Sequence, residues 1–579
     1  MLPNKQLPSP SVFIMHTTQP FLHAFLCSLF LFVPYRKPYT EIHMQFLYPA
    51  YPDSSMTEQH FNHRFGRYSM IKNITDIKLN VKPLFSMFSH KYYFEGPCRM
   101  AGGEALQPGF DSMVNGAIFN GTMEGMKFAM PDCVNLMEPV YLETSCDWDI
   151  KDAYFEKLLQ DNHKVDVYLA TGQFGADQIF NEFAQRAGKP IIIQPDLWGP
   201  ARAGALYTLG VDVICELTWE DVARQLIVLR AQKCLREANL LLAPRFNNAT
   251  PVAGATDSFA DLGEVTKKLG VHFRTINVHE LMDELHPLPA EGNYTTPGRV
   301  TPNITEEEIA ELESMADTML AGAEEADLQK EMLVKSLIAW KVVRKNMDLY
   351  DCSGAVLPCP DICSTRRINK EQITFCMCHS LNLEKGLAGG CEYDVASAVT
   401  QLAEIAVSGH APYMGNTLPI ASTDGRGLNF QILKMVSEEE AQDILNMDNL
   451  YVVYHSTPHR KFNGIKEPDN SYALRHFAYD QKFGAVFRHN FDENKGQVIT
   501  FAKFSGDLKR LLIGKGTIVK SIGYGLDNCN GGFIFQVEDQ RRVYKEQCRA
   551  GLHMPLVFGD YTQELKMLAE RLGMDAVMV

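Results

Sequence analysis

From about residue 77 to residue 235, short apolar runs alternate with longer segments whose apolar positions recur at helical spacing. Strands that are separated by helices in this way are typical of βαβ units and of a parallel sheet. Because proline cannot donate a hydrogen bond to a neighbouring strand, Pro83 predicts that the first strand lies at the edge of the sheet. The apolar runs predict strands at residues 79–88, 165–170, 191–193 and 211–215.

A second alternation of strands and helices begins near Asn239. Thr305 and Glu308 have the spacing of a capping box, which predicts that a long helix begins there. Cys376 and Cys378 fall in the last predicted strand of this region, where they would act as small buried apolar side chains. Further strands are predicted at residues 271–278, 354–357 and 373–378, and a helix at residues 393–407.

The pattern changes after residue 418, because short strands follow one another without a long helix until residues 561–571. Such a succession is typical of a small barrel or sandwich. The chain is therefore expected to belong to the α/β class, with two α/β parallel-sheet domains followed by a mostly β C-terminal domain. The late strands are predicted at residues 451–454, 485–487, 497–501, 516–519 and 532–536.

The domain boundaries follow from these changes of pattern. We expect an N-terminal α/β domain at residues 71–235, a second α/β domain at residues 236–420 and the β domain at residues 421–579. Residues 1–70 are interpreted as a poorly ordered or mis-started extension. Their main apolar stretch, at residues 21–34, is shorter than the about 20 residues that a membrane-spanning helix needs.

Composition narrows the class of protein further. The formal net charge is −15, and this argues against a broad nucleic-acid surface, since phosphate binding requires clustered basic residues. The 14 cysteines are too sparse in 579 residues for a disulfide scaffold, and no two pairs have zinc-ribbon spacing. We therefore expect a cytoplasmic protein with reduced thiols, and neither nucleic acid nor a membrane among its partners.

Glu392 lies where the helix predicted at residues 393–407 begins, in the run Gly-Gly-Cys-Glu-Tyr-Asp. The helix dipole favours a carboxylate at that end. A helix of roughly sixteen residues rises about 24 Å, and the extended residues that follow it span a similar distance, so Asn416 returns to the neighbourhood of Glu392. On spacing alone, a helix cap at Glu392 and a turn at Asn416 are the simpler account of both residues.

The runs Cys-Glu392-Tyr-Asp and Tyr-Met-Gly-Asn416-Thr resemble the second domain of the L-fucose isomerase family, which is related to the L-arabinose isomerases. Gly-Leu-His553-Met-Pro-Leu-Val-Phe-Gly-Asp, followed by a helix near the chain end, resembles the family's C-terminal histidine segment. The order of domains matches as well, over roughly residues 75–579. The resemblance implies a divalent-metal-dependent aldose–ketose isomerase that acts on a free sugar or sugar derivative and forms homo-oligomers.

The resemblance also implies a site. Glu392, Asn416 and His553 would be the metal ligands, and oxygen ligands with one imidazole suit Mn2+ and tolerate Mg2+. Isomerisation would pass through an enediol, with the metal polarising the sugar carbonyl and Glu392 acting as the catalytic acid and base. Without the resemblance, a surface or hydrogen-bonded loop histidine is the simpler interpretation of His553.

Asn416 departs from the family pattern, which has Asp at this position. An amide oxygen can coordinate a metal but cannot accept a proton at neutral pH, which puts the usual proton transfer between two carboxylates in doubt. Asp394, Asp424 and Asp560 are weak substitutes. Asp424 has the setting of a turn residue, and Asp394 is expected on the solvent face of the first helical turn. The second hypothesis is therefore a catalytically silent homologue that binds a carbohydrate.

Residues 453–461 end a predicted strand with two histidines and two basic residues. We interpret His455 as a candidate substrate-binding residue, at a sugar site or near an anionic group. The alternative is an ordinary solvated strand end. A third hypothesis, an accidental match to the isomerase motifs, predicts that Glu392, Asn416 and His553 lie apart in the structure.

Overall fold

A six-stranded parallel sheet forms the N-terminal region, in the order β2-β1-β4-β5-β6 with β3 also paired to β1. Apolar residues cover both faces of the sheet, and all five residues of β4 are buried, as is usual for parallel sheets. Its strands are β1 (Leu79–Ser89), β2 (Val134–Leu136), β3 (Val140–Ser145), β4 (Val167–Thr171), β5 (Ile191–Ile193) and β6 (Val213–Cys215). Its helices are α1 (Phe110–Ala129), α2 (Asp152–Leu159), α3 (Asp177–Ala187), α4 (Gly199–Thr208) and α5 (Trp219–Glu237).

The structure is a computed structural model. The extension predicted at residues 1–70 lies outside the residues that it describes. The described residues are 73–89, 110–145, 151–171, 177–245, 252–255, 258–288, 302–359, 366–422, 424–478 and 482–579.

Pro83 lies inside the N-terminal sheet, so the prediction of an edge strand is wrong. On one side β1 pairs with β4 through Pro83 itself. On the other side β1 pairs with β2 as far as Val81 and with β3 from Leu84 onward. The carbonyl of Val81 accepts a hydrogen bond from Met137 on that second side, and the nitrogen of Pro83, two residues further, faces the same way. Proline is therefore tolerated because it falls in the gap between β2 and β3.

A four-stranded parallel sheet forms the second region, in the order β10-β7-β12-β13. The edge strand β13 leads through a short turn into helix α12. The strands of this region, including the hairpin β8–β9, are β7 (Asn239–Leu242), β8 (Val252–Ala255), β9 (Ser258–Asp261), β10 (His272–Thr275), β11 (Glu325–Asp327), β12 (Gly354–Val356) and β13 (Ala388–Gly390). The helices are α6 (Leu262–Leu269), α7 (Val278–Asp283), α8 (Glu306–Gly322), α9 (Lys330–Leu349), α10 (Arg367–Glu371), α11 (Cys376–Leu383) and α12 (Val395–Ser408).

Two local predictions for this region had opposite outcomes. The capping box is confirmed, because Thr305 and Glu308 exchange side-chain to backbone hydrogen bonds at the start of α8. The strand predicted at residues 373–378 is wrong, because Cys376 opens helix α11. All eight residues of α11 are buried. A short run that is buried on every side has no apolar period by which a helix can be distinguished from a strand.

A closed antiparallel β-barrel forms the C-terminal region. Its sheet has the order β18-β21-β14-β15-β20-β19-β22, and the pairing of β18 with β19 closes it. Only β22 joins parallel to its neighbour. Parallel-sheet α/β regions followed by a β region are therefore confirmed. The strands are β14 (Tyr413–Pro419), β15 (Leu450–His455), β16 (Ala473–His476), β17 (Ala485–Arg488), β18 (Val498–Phe504), β19 (Arg510–Ile522), β20 (Gly531–Gln536), β21 (His553–Phe558) and β22 (Asp575–Met578).

Strands β16 and β17 stand apart from the barrel and form a three-stranded sheet with β11. Short helices cover the barrel and connect its strands. Among the described residues, no helix is both long enough and apolar enough to cross a membrane. The helices are α13 (Phe430–Leu433), α14 (Glu438–Leu445), α15 (Gln540–Gln547) and α16 (Thr562–Arg571).

Helix α12 connects the second sheet to the barrel. It packs against β13 on one side and against β18 and β21 on the other. Its side chains also bond to both neighbours, since Gln401 exchanges two hydrogen bonds with the backbone of Gly389 and Thr400 accepts one from the backbone of Phe504. The helix therefore fixes the barrel against the end of β13, which is where the candidate site lies.

Glu404 is a buried carboxyl group in the middle of α12, and neither of its oxygens has a hydrogen-bond partner. Burial holds the pKa of Glu404 well above its usual value, so the folded protein keeps this proton at pH values at which the unfolded chain has lost it. Stability should then fall as the pH rises above about 4.5, by about 1.4 kcal/mol per pH unit, until the folded pKa is reached.

We therefore expect Glu404→Gln to remove this pH dependence. Between pH 5.5 and pH 7.5, the stability of the variant relative to the wild type should increase, by up to about 3 kcal/mol, as measured by urea unfolding at both pH values. The matched control is Glu439→Gln on the exposed side of α14, which should show no such increase. Parallel pH profiles of the wild type and Glu404→Gln would contradict the prediction.

Candidate metal centre

Glu392 lies directly after β13, at the carboxyl edge of the second parallel sheet, where open α/β sheets usually bind ligands. The chain passes there through the 3-10 turn Cys391–Tyr393. Glu392 and Tyr393 have φ angles of 55° and 61°, a left-handed conformation that is uncommon for such residues and concentrated at functional sites. Close packing requires the glycine before the turn, because a Cβ at Gly390 would lie 2.9 Å from the backbone oxygen of Asp394.

Two histidines of the barrel meet Glu392. His455 is the last residue of β15, and His553 is the first residue of β21. Nε2 of His455 lies 3.4 Å from Oε1 of Glu392, and Nε2 of His553 lies 3.6 Å from Oε2. The ligand-type atoms of these three residues all lie within 4.8 Å of one another. The turn after β13 and two barrel strands therefore build one cluster.

Burial and hydrogen bonding give this cluster the properties of a metal site. The imidazoles of His455 and His553 are buried, whereas the side chain of Glu392 is 33% exposed, so the cluster opens at Glu392. Nε2 of both histidines has no hydrogen-bond partner. A buried polar atom without a partner costs free energy unless a ligand satisfies it. Two imidazole nitrogens and a carboxylate form a candidate metal-binding triad.

The charge states of the triad also suit a cation. Burial lowers the pKa of His455, which keeps its imidazole neutral and its lone pair available near neutral pH. The neighbouring His455 lowers the pKa of Glu392 against the opposing effect of burial, so the carboxylate is ionised. The ionised carboxylate of Glu392 therefore faces the neutral imidazole of His455.

Asp394 lies behind His553 and is wholly buried, so its expected position on the solvent face of the helix is wrong. Its Oδ1 caps α12 by accepting a hydrogen bond from the backbone of Ser397 at 2.8 Å. Its Oδ2 lies 3.2 Å from Nδ1 of His553 and 2.6 Å from the ammonium of Lys503. Burial acts to raise the pKa of Asp394, but Lys503 and His553 hold it far below its usual value. Asp394 is therefore an ionised carboxylate in the layer behind the triad.

Asn416 returns on β14 to a position opposite His553 on one side and opposite Tyr454 on the other. Directly opposed residues of antiparallel strands share one face of the sheet, so Asn416 and His553 are neighbours. Strand β14 pairs within the barrel. The predicted domain boundary at residue 420 had assigned this strand to the second α/β domain. The role of Asn416 as a metal ligand stays a prediction.

The other two carboxylates that were considered as substitutes lie in local turns. Asp424 accepts hydrogen bonds from Ser422 and from the backbone of Arg426, which confirms its interpretation as a turn residue. Asp560 accepts hydrogen bonds from the backbone and the hydroxyl of Thr562, where α16 begins. Both bonding patterns are local, and neither involves the triad.

The segment after β15 is buried, so the alternative of a solvated strand end is wrong. The ring of His459 stacks on Phe462 with 4.1 Å between the centroids. Arg460 donates two side-chain hydrogen bonds to the carboxylate of Glu384, at 2.8 and 2.7 Å. These contacts are structural, whereas His455 takes part in the triad. The structure makes His455 a candidate metal ligand. Its role in substrate binding stays a prediction.

Sequence analysis missed one histidine near the site. His379 lies in α11, is fully buried, and has no hydrogen-bond partner at either ring nitrogen. Burial and the nearby His455 lower the pKa of His379 to about 3, so it is neutral. The strand interpretation of residues 373–378 concealed it. The polar residues His379, Ser380 and Asn382, which directly follow the apolar run, are the signal that could have revealed it.

No protein-family model matches the chain, and no curated protein matches it. Functional inference therefore depends on the geometry of the triad and on the residues that resemble the isomerase motifs.

Proposed function

We propose that this protein is a metal-dependent aldose–ketose isomerase that acts on a free sugar or sugar derivative. The observation that carries the proposal is the convergence of Glu392, His455 and His553 at the carboxyl edge of a parallel sheet, with Nε2 unpartnered in both histidines. The succession of two parallel-sheet α/β regions and a β-barrel supports the same class, because the resemblance to L-fucose isomerases implies that order.

Each residue of the triad has a distinct task in this proposal. A divalent ion held by the three side chains would supply Lewis acidity, polarising the carbonyl of the sugar. Glu392 accepts a proton from one of the two reacting carbons and returns it to the other, because its ionised carboxylate faces the opening of the site. His455 and His553 provide nitrogen donors from the buried side. The left-handed backbone at Glu392 fixes the direction of the carboxylate.

Mn2+ is the metal that we propose, with Mg2+ as the alternative. The triad contains two imidazoles, one more than the resemblance implies, and imidazole also suits later metals such as Zn2+. Metal-free protein should therefore be reloaded separately with Mn2+, Mg2+, Co2+ and Zn2+ before activity is measured. The ion that restores the highest activity identifies the metal.

The test is isotope exchange in deuterated water with a panel of aldoses. Mass spectrometry would report the ketose formed and the deuterium incorporated at C1 of the ketose and at C2 of the recovered aldose. We expect incorporation that depends on the metal, since proton transfer through an enediol exchanges this hydrogen with solvent. A protein that binds metal and sugar but forms no ketose and incorporates no deuterium across the panel would contradict the isomerase proposal. That result would favour the catalytically silent carbohydrate-binding homologue, the hypothesis that Asn416 motivates.

Asn416→Asp is expected to tighten Mn2+ binding by at least about tenfold, or roughly 1.4 kcal/mol, and to raise isomerase activity. The reason is the added negative charge beside His553. Isothermal titration calorimetry on metal-free protein would measure the affinity. Asn446→Asp on the exposed end of α14 makes the same chemical change away from the site and should leave the affinity unaltered. An unchanged affinity in Asn416→Asp would remove Asn416 from the ligand set.

A further inference from the structure

The hydrogen bonds around Asp394 determine which nitrogen of His553 carries its proton. Asp394 accepts from the backbone and the hydroxyl of Ser397, at 2.8 and 2.9 Å. It also accepts from the hydroxyl of Ser258 at 3.1 Å and from the ammonium of Lys503 at 2.6 Å. Nδ1 of His553 lies 3.2 Å from the same carboxylate. All of these side chains are buried.

Both oxygens of Asp394 already accept hydrogen bonds, from two hydroxyls, a backbone N–H and an ammonium, so the carboxylate acts only as an acceptor. Nδ1 of His553 must therefore be the donor in its contact with Asp394, and a neutral imidazole then has no proton on Nε2. Nε2 is the atom that lies 3.6 Å from Glu392 without a hydrogen-bond partner. The ammonium of Lys503 also donates to the hydroxyl of Ser397 at 2.8 Å, which directs that hydroxyl proton towards Asp394.

We propose that Asp394 is a positioning residue which, with Lys503 behind it, holds His553 in the Nδ1–H tautomer and directs the lone pair of Nε2 into the triad. Carboxylates commonly fix metal-bound histidines in this way. Asp394 is the N-cap residue of α12, and Lys503 and His553 lie in β18 and β21, so the same contacts fix the barrel against the turn that carries Glu392. This inference rests on the proposed function only in assigning a metal to Nε2, because the tautomer exists without turnover.

The first test measures the tautomer directly in metal-free wild-type protein. Long-range proton–nitrogen spectra of protein labelled with 15N only at histidine distinguish the two neutral tautomers by their nitrogen shifts. The signals of His553 would be assigned by their loss in His553→Gln. We expect the pattern of an Nδ1–H imidazole. The pattern of an Nε2–H imidazole, or an average of the two, would overturn the proposal, and this measurement needs no variant of Asp394.

The second test uses Asp394→Asn, whose amide can donate to Nδ1 and so favour the tautomer with a proton on Nε2. The affinity for Mn2+ should then fall by about 10–100-fold in calorimetry. Glu404→Gln is the control, because it makes a carboxyl-to-amide change at another buried position, in α12, whose side chain has no hydrogen bond to His553, and it should leave the affinity unchanged. Wild-type affinity in folded Asp394→Asn would overturn the proposal.

The two proposals can fail separately. The expected tautomer and affinity without isotope exchange would reject the isomerase and retain the positioning role of Asp394. Isotope exchange in a protein whose His553 carries its proton on Nε2 would retain the isomerase and reject the positioning role.

Discussion

Glu392→Gln is expected to slow metal-dependent deuterium incorporation at C2 by about 10²–10⁴-fold, the usual contribution of a general acid–base group. Glutamine keeps the size of the side chain but cannot accept the proton, and it removes the single negative charge of the triad. Metal affinity should therefore fall together with the exchange rate. The rate should be measured at a saturating concentration of Mn2+, so that weak metal binding is not mistaken for lost proton transfer.

Two histidines on one segment provide a matched control for this result. His455→Gln removes a candidate ligand and should weaken metal binding. His459→Gln alters an equally buried histidine that stacks on Phe462 and should leave metal binding intact. Equal losses in both variants would indicate damage to the barrel instead of to the site. Wild-type exchange in Glu392→Gln would assign the proton transfer to a different residue.

The sequence predicted the part of this site that depends on local structure. The apolar helical period predicted where α12 begins and placed Glu392 within a few residues of that point. The length of α12 and of the return strand brought Asn416 to the same end. These relations hold between residues that are close along the chain, so spacing alone contains them.

The rest of the site depends on contacts between distant segments. Lys503 and Asp394 are 109 positions apart, and nothing near Asp394 in the sequence indicates a buried ammonium as its partner. Asp394 was expected on the solvent face of the first helical turn, because its place in the sequence shows only that it lies near the start of a helix. The barrel strands bring His455 to His553, with 5.3 Å between their ring centroids, and the register that does so is not visible in either strand alone.

Two elements were predicted wrongly for local reasons: the strand at residues 373–378 and the edge position of the strand that contains Pro83. Residues 373–378 are apolar in every direction, so neither a period of two nor one of 3.6 can be recognised. Pro83 was placed at a sheet edge because proline has no N–H to donate to a continuous neighbouring strand. Inside the sheet, Pro83 faces the gap between β2 and β3, where no donor is needed. That gap exists only because of where β2 ends and β3 begins, which the sequence around Pro83 does not indicate.

The buried pair of Lys503 and Asp394 should dominate the stability of the boundary between α12 and the barrel, because neither side chain is exposed to solvent. Lys503→Met is expected to lower the free energy of unfolding by about 3–5 kcal/mol, since an ionised carboxylate stays buried without its ammonium. Urea unfolding of the metal-free protein would measure the loss and avoid any contribution from a bound ion.

A double variant separates the charge pair from simple packing. In Lys503→Met combined with Asp394→Asn, the neutral amide needs no opposite charge, so the double variant should be more stable than Lys503→Met alone. If the losses in the free energy of unfolding of the two single variants simply add in the double variant, the two side chains stabilise the protein independently. Recovery together with weakened metal binding would show that the pair has two effects: it stabilises the contact between α12 and the barrel, and its carboxylate orients His553.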